Sequence, residues 1–172
     1  MSGEHKCHVH SSPYTQTFEE MEFERGMWNC AVYGKTDQLL RLLKKGVNVN
    51  SQDRYGFTPL HYASRNGRTA TCELLLSHGA DVFAVTRNGK ATALHRAAFC
   101  GHLDVVKLLC SCQKSEDYPP LASMLDVDGQ TCLHSAARGN QPVVLHWLSI
   151  TYPELISIRD NAGKTASDLL PL

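Results

Sequence analysis

The sequence has no long hydrophobic run, and no stretch approaches the roughly 20 apolar residues that a membrane-spanning helix requires. The first twelve residues are polar and rich in histidine, so we expect no secretory signal in them. The sequence also has no excess of charge of either sign, because 17 lysines and arginines balance 17 aspartates and glutamates. Proteins that bind nucleic-acid backbones usually carry a basic excess. We therefore expect that the partner is neither a membrane nor a nucleic acid.

Motifs of known catalytic sites are also missing. The sequence contains no glycine-rich phosphate loop, no His-Glu-x-x-His and no paired-carboxylate arrangement. Cys100 and His102 place a thiol near a base, but nucleophilic catalysis also needs a group that orients the base. We interpret Gly101-His102 as a packing element of a helix-helix turn. The sequence thus predicts no enzyme and no cofactor.

The seven cysteines are odd in number and irregularly spaced, so they do not predict a disulfide framework. Several lie inside apolar helical patterns, which favours buried free thiols in a reducing compartment. We therefore expect a cytoplasmic protein, a nuclear protein or both. The cysteines are Cys7, Cys30, Cys72, Cys100, Cys110, Cys112 and Cys132.

A metal-linked or redox function is the alternative from a different class. The run His5-Lys6-Cys7-His8-Val9-His10 holds four potential ligands within six residues. Adjacent Cys7 and His8 could hardly ligate one tetrahedral ion together, so we favour a flexible polar tail without bound metal. Cys110 and Cys112 could complete such a site, although we expect Cys110 to pack in the interior and Cys112 to be exposed.

One motif recurs along the chain. It begins at four threonines, Thr58, Thr92, Thr131 and Thr165, which are 34, 39 and 34 residues apart. In the first three copies a histidine follows three residues later, and then come a pair of small residues and a second apolar helical pattern. The three histidines are His61, His95 and His134.

The copy Thr58-Pro59-Leu60-His61, followed by Ala63, resembles the Thr-Pro-Leu-His-x-Ala signature of the ankyrin-repeat family, and the likeness runs from about residue 18 to the C-terminus. It implies an all-α solenoid of stacked helix-turn-helix units with β-hairpin loops. It also implies that each motif histidine bonds its threonine, and that the protein is a non-catalytic interaction module or adaptor. Residues 18–26, 60–67 and 168–171 further resemble a group of small ankyrin-repeat proteins.

The backbone at the helix ends follows from residue type. Gly67, Gly79 and Gly101 predict left-handed helix ends, where a β-carbon would be penalised. In the fourth repeat Asn140, and not Gly139, falls at this position, and asparagine tolerates that geometry. The hairpin at residues 88–91 holds one residue more than its counterparts.

We divide the chain into a flexible tail at 1–17 and an ankyrin-repeat domain at 18–172. The domain has a degenerate first repeat at about 25–52, in which Trp28 replaces the motif histidine, and a truncated C-terminal cap at 158–172. Complete repeats span about 53–85, 86–125 and 126–157. Pro119-Pro120 cannot continue a helix and predicts a protruding loop between the third and fourth repeats.

Partner contacts in this family involve the hairpin tips and the concave face of the first helices. Mapped by motif position, these places carry mostly arginines and aromatics, which are common at binding hot spots, and Asp128 is the only acid among them. Because the guanidinium group of arginine forms paired hydrogen bonds with carboxylates, we expect the protein to bind an acidic segment of a protein partner. We also expect it to be a monomer. The predicted binding residues are Arg54, Tyr55, Tyr62, Arg65, Asn66, Arg87, Lys90, Arg96, Phe99 and Arg138.

Two segments carry regulatory hypotheses. An acidic run with interleaved apolar residues is either a short helix packed on the first repeat or a flexible flap, which would be autoinhibitory if it folded over the arginines. The run comprises Phe18, Glu19, Glu20, Met21, Glu22, Phe23 and Glu24. Asn50, which follows Val49, is similar to asparagines that are hydroxylated in ankyrin loops, and its hydroxylation is the second hypothesis.

Overall fold

A computed structural model describes residues 26–112 and 119–170. The first helices of the repeats form one row, in which each helix contacts the next, and the second helices form a parallel row behind it. The protein is therefore an all-α solenoid. The first row contains α1 (Met27–Tyr33), α3 (Pro59–Arg65), α5 (Ala93–Cys100) and α7 (Cys132–Arg138). The second row contains α2 (Thr36–Lys44), α4 (Thr69–Ser77), α6 (Leu103–Ser111) and α8 (Pro142–Thr151).

Short 3-10 turns complete the described chain at Leu121–Ser123, Pro153–Ser157 and Ala166–Leu169. The last of these packs on α7 and ends the first row. Its Thr165 N–H donates to Asp168 Oδ2 at 2.8 Å, so an aspartate takes the place that histidine has in the complete motifs. None of the described helices is long and apolar enough to cross a membrane.

The two rows use different side chains to pack. First helices bury small residues such as Ala63, Ala97 and Ala136, which lets neighbouring repeats approach closely. Second helices bury one apolar stripe, with Leu75 on α4 and Leu109 on α6 fully inside. The core therefore lies between the rows, and the outer sides of the first helices are left for other contacts.

Each motif histidine accepts a hydrogen bond from the backbone N–H of its own threonine. The distances from the threonine nitrogen to histidine Nδ1 are 3.2 Å at Thr58, 3.2 Å at Thr92 and 3.3 Å at Thr131. In every case the threonine hydroxyl also lies 2.9 Å from Nδ1. The predicted threonine-histidine bond is confirmed in all three repeats.

The opposite ring nitrogen of each histidine joins one repeat to the next. Nε2 donates to a backbone carbonyl of the following hairpin: His61 to Ala91 at 3.1 Å and His95 to Gln130 at 3.0 Å. His134 does the same to Lys164 at 3.2 Å. The motif is thus both a helix cap and an inter-repeat link.

Left-handed backbone occurs where the sequence predicts it. Gly67, Gly79 and Gly101 have φ values of 64°, 85° and 80°. Asn140 has φ of 51°, whereas Gly139 has an ordinary φ of −77°. The additional residue of the third hairpin is absorbed at Lys90, whose φ is 47°.

The hairpin loops are tight turns, and residues 26–112 and 119–170 contain no β-strand. Two backbone bonds close the second tip, from Asp53 N–H to Phe57 O and from Gly56 N–H to Asp53 O, each at 3.0 Å. Neighbouring tips are joined by one further backbone hydrogen bond, for example from Arg87 N–H to Tyr55 O at 2.9 Å. One bond between neighbours is too few for a strand ladder, so the loops hold their hairpin shape without a sheet.

The chain between the third and fourth repeats returns to the core after Pro119 and Pro120, which are exposed. Leu121 and Ala122 are each only 1% exposed, and Ala122 O accepts from Cys132 Sγ at 3.3 Å. The loop predicted between the third and fourth repeats includes residues 113–118, which lie outside the described residues. So do the tail at 1–17 and the acidic run at 18–24.

Candidate functional site

The ten predicted binding residues lie on two connected surfaces. One surface, called here the first-helix face, lies on the outer sides of α3, α5 and α7. Its residues sit three or four positions apart, which places them on one side of each helix. The first-helix face comprises Tyr62, Arg65, Asn66, Arg96, Phe99 and Arg138. The other surface is formed by the exposed hairpin residues Arg54, Tyr55, Arg87 and Lys90.

An aromatic platform lies at the centre of the first-helix face. The ring of Phe57, in the second hairpin, is 5.5 Å from the ring of Tyr62 and 5.7 Å from that of His61. The guanidinium carbon of Arg96 lies 5.0 Å above the centre of the Phe57 ring. A residue of one repeat's hairpin therefore supports the arginine of the next repeat.

Arg96 is more enclosed than an arginine at a surface usually is. Its Nε is buried and has no hydrogen-bond partner within the described part of the chain. Burial lowers the pKa of Arg96, and the positive charge of Arg65 lowers it further, while Asp126 acts in the opposite direction. The guanidinium is thus charged, partly desolvated and incompletely bonded.

Two aspartates that the motif positions do not indicate, Asp53 and Asp126, lie near this face. Asp53 accepts from the Tyr62 hydroxyl at 2.7 Å, and burial together with this bond raises the pKa of Tyr62. Asp53 also accepts the backbone N–H groups of Tyr55 and Phe57, at 2.9 and 2.8 Å. Asp126 accepts two backbone N–H groups in the same way in its own hairpin. Both carboxylates are therefore used in holding the hairpins.

Arg138 is held by a chain of side chains that the sequence did not indicate. Its Nη1 donates to Gln130 Oε1 at 3.0 Å, and Gln130 Nε2 donates to Asp160 Oδ2 at 3.1 Å. Gln130 and Ser135 are both buried, at 7% and 8% exposed, so they add little to the exposed surface of this repeat. Gln130 is buried because its hairpin packs against the last one, where Asp160 lies.

The hairpin surface presents a second aromatic-cation pair. The guanidinium carbon of Arg54 is 4.7 Å from the centre of the Tyr55 ring, and this ring is 49% exposed. The carbonyl of Tyr55 accepts the N–H of Arg87, which fixes the two tips relative to each other. The tips therefore extend the basic, aromatic character of the first-helix face.

Part of the alternative metal or redox site, residues 5–10, lies outside the described residues. Within the described residues, no group of three or more histidine, cysteine or acidic side chains could hold a metal ion. Cys112 was expected to be exposed, but it is partly buried and packs against the core with Cys110. Burial raises the pKa of Cys110 to about 11.

The Cys100-Gly101-His102 segment has a packing role. His102 Nε2 donates to the backbone carbonyl of Arg65 at 3.0 Å, across the boundary between two repeats. Its ring also lies directly against Gly67, where a β-carbon would be only 2.6 Å from Nδ1. The histidine is thus engaged in joining the second and third repeats.

The described cysteines should differ strongly in reactivity. Cys72 is buried, which raises its pKa to about 11, whereas Cys100 is partly exposed. Because the thiolate is the reactive form, we expect a maleimide at pH 8 to label native Cys100 well before Cys72. Peptide mapping by mass spectrometry after short labelling times measures this order. Equal labelling of both residues in native protein, with Cys72 no slower, would contradict the burial described above.

Asn50 lies at the exit of the first repeat and bonds with the exit of the second. Its Nδ2 donates to Gly79 O at 3.1 Å, and its Oδ1 accepts from Asp81 N–H at 2.8 Å. Both polar atoms of the side chain are therefore used between repeats. Hydroxylation of Asn50 stays a prediction.

Comparison with known proteins gives matches over most of this structure. A family model described as ankyrin repeats (3 copies) matches residues 27–120 and 84–160. Human ankyrin repeat domain-containing protein 39 is 46% identical over 71 residues, which is 41% of this chain and 39% of the human protein. The cattle protein of the same name is 47% identical over 55 residues, 32% of this chain and 30% of that protein. Mouse RelA-associated inhibitor is also 47% identical over 55 residues, but these are only 7% of its length. The alignments thus span about two fifths or less of these relatives.

Proposed function

This chain belongs to the ankyrin-repeat family, and we propose that it is a non-catalytic protein-interaction module that binds an acidic segment of a partner protein. The observation that carries the proposal is the first-helix face, which carries Arg65, Arg96 and Arg138 together with exposed Phe99. Arginine and aromatic side chains dominate the energetics of many interfaces. The hairpin arginines Arg54 and Arg87 enlarge the same basic surface.

The rigidity of the face supports binding to a preformed surface. Histidine links, hairpin bonds and close helix packing fix the first helices relative to one another. Binding a partner would then cost little conformational entropy on this side of the interface, so more of the free energy of the contacts appears as affinity. Scaffold and adaptor proteins use surfaces of this kind.

Two further observations agree with the proposal. The name of RelA-associated inhibitor says that this relative associates with another protein, RelA. The six described cysteines are all free thiols, which supports our proposal that the module works in the cytoplasm, the nucleus or both. We also propose that it acts as a monomer.

Proximity labelling in cells tests the proposal directly. We expect the combined variant Arg65→Glu, Arg96→Glu, Phe99→Ala to lose the wild-type partners, because two charges are reversed and an apolar contact is removed. The matched control is Lys44→Glu, Lys107→Glu, Val143→Ala, which makes the same change in charge on exposed positions of the second helices. Circular dichroism should show that both variants are folded. If the first variant keeps the wild-type partners, the first-helix face is not the binding surface.

A further inference from the structure

We propose that Arg96, stacked on Phe57, is the carboxylate anchor of the binding face, and that it receives one glutamate or aspartate side chain of the partner. An apolar residue next to that acid would cover Phe99. The inference rests on the proposed function and adds the ligand chemistry and the residue that recognises it. It assigns carboxylate recognition to one of the several arginines that make the surface basic.

The contacts of the other guanidinium groups single out Arg96. Arg68 Nε donates to Val32 O at 3.0 Å, and Arg159 Nη1 donates to Gly163 O at 2.7 Å. Arg138 bonds Gln130, and Arg65 is exposed to water. Arg96 alone among these five combines a buried Nε, no acceptor for it within residues 26–112 and 119–170, and an aromatic ring below. A buried donor without an acceptor costs free energy, and a carboxylate that reached Nε through a shift of the partly exposed Arg96 side chain would remove that cost.

The stacking restricts how an anion can approach. Phe57 covers one flat side of the Arg96 guanidinium, so an acceptor must come to its edge, where the N–H groups point. A carboxylate fits this edge with two parallel hydrogen bonds. Asp126 is near enough for its charge to act on Arg96, which penalises a doubly charged phosphate more than a singly charged carboxylate. These facts favour an acidic side chain over a phosphorylated one.

Phe99 supplies the second element of recognition. It follows Arg96 by three residues on α5, so both side chains project from the same side of the helix, and its ring is 46% exposed. Its backbone is held in place by the close approach of Gly139 to its carbonyl. An apolar side chain beside the acid could therefore bury part of this ring at a fixed distance from the anchor.

Solution NMR can observe the anchor atom itself. The Nε–Hε group of Arg96 gives its own 15N–1H signal, which the Arg96→Lys variant assigns by its disappearance. The probes are capped pentapeptides with glutamate, glutamine or phosphoserine between two leucines. We expect the glutamate peptide to move the Arg96 signal in a saturable way. The glutamine peptide should bind about tenfold more weakly, or less well still, because a charge-assisted pair is replaced by a neutral contact.

Two lysine variants provide the matched controls. Arg96→Lys keeps the charge but loses the paired N–H groups of the guanidinium, and should remove most of the preference for glutamate. Arg41→Lys, at an exposed position of α2 outside both binding surfaces, should retain it. The anchor is overturned if the Arg96 signal does not move at millimolar peptide, or if Arg96→Lys keeps the full preference. It is also overturned if phosphoserine binds more tightly than glutamate. Shifts at Arg65 and Arg138 without any at Arg96 would reject the anchor and leave the proposed function standing. The proposed function fails separately, if the triple variant keeps its partners in cells.

Discussion

Lowering the pH from 7 to 4 should decrease the free energy of unfolding by about 3 kcal/mol through His61 alone. Burial lowers the pKa of His61 to about 4, whereas a histidine in the unfolded chain titrates near 6.5. Between these two values the unfolded chain binds a proton that the folded chain does not. Stability from this group is therefore complete above about pH 6.5 and is lost progressively as the pH falls towards 4. Burial lowers the pKa of His95 as well, so its contribution has the same sign.

The hydrogen bonds explain why the folded protein resists protonation here. Ala91 O can only accept, so Nε2 of His61 must carry the hydrogen. Thr58 N–H can only donate, so Nδ1 must be the unprotonated nitrogen. Adding a proton to Nδ1 would place a second N–H opposite the Thr58 N–H, so that two donors would face each other without an acceptor. Burial and the Thr58 N–H thus both disfavour the charged ring, whereas the Nε2 bond to Ala91 O acts in the opposite direction.

Urea unfolding followed by circular dichroism between pH 7 and pH 4 measures this effect. The variant His61→Asn keeps an acceptor near the Nδ1 position but has no titrating ring, so its stability should be lower at pH 7 and fall less steeply with acid. His146 is exposed, and His146→Gln should leave the pH dependence of the wild type unchanged. Hydrogen bonds lower the pKa values of Asp160 and Asp168 below 3.8, so their loss of stability lies at lower pH. A pH dependence in His61→Asn as steep as in the wild type would refute the assignment to His61.

The repeated motif allowed the fold to be predicted because it encodes local contacts. Thr58 caps α3, His61 bonds that cap and Gly67 turns the chain, and all three lie within ten residues of sequence. The left-handed position of Asn140 could be predicted in the same way, since it depends on one helix end. Local spacing also placed the Arg96 and Phe99 side chains on one side of α5.

Contacts between repeats could not be read from the spacing. Phe57 of the second hairpin lies under Arg96, which follows it by 39 residues and belongs to the next repeat. Gln130 is buried because Asp160 of the next hairpin bonds it, and nothing in its own repeat indicates this. Cys112 is partly buried for a similar reason, since it packs against the shared core. Such contacts depend on how closely particular neighbours approach, and this distance differs from one repeat boundary to the next.

The boundary between the third and fourth repeats is the tightest example, and it predicts a large effect of Gly139→Ala. At the two earlier boundaries, a side chain donates to a carbonyl of the preceding first helix: Arg68 to Val32 O and His102 to Arg65 O, each at 3.0 Å. The equivalent carbonyl at the third boundary belongs to Phe99. Gln141 does not bond it and donates to Gly139 O at 2.8 Å. Gly139 itself fills the space beside the Phe99 carbonyl.

A β-carbon on Gly139 would overlap the Phe99 carbonyl oxygen and lie only 2.8 Å from the carbonyl carbon. Because the obstacle is backbone, no side-chain rotation can relieve the overlap, and α5 and α7 must move apart. We expect a loss of about 3 kcal/mol or more in the free energy of unfolding, at the upper end of overpacking substitutions. The backbone conformation of Gly139 adds no strain of its own, because its φ is −77°.

Gly89→Ala is the matched control for Gly139→Ala. Gly89 also lacks a positive φ, and a β-carbon there would meet Thr86 Oγ1 at an ordinary 3.5 Å. Urea unfolding should therefore show Gly89→Ala close to the wild type and Gly139→Ala strongly destabilised. Since the movement of α5 also displaces Phe99, the Gly139→Ala variant should lose affinity for the glutamate peptide even at temperatures where it remains folded. Equal stability of the two variants would mean that the third boundary has room for a methyl group, and the rigid placement of Phe99 beside Arg96 would then have no support.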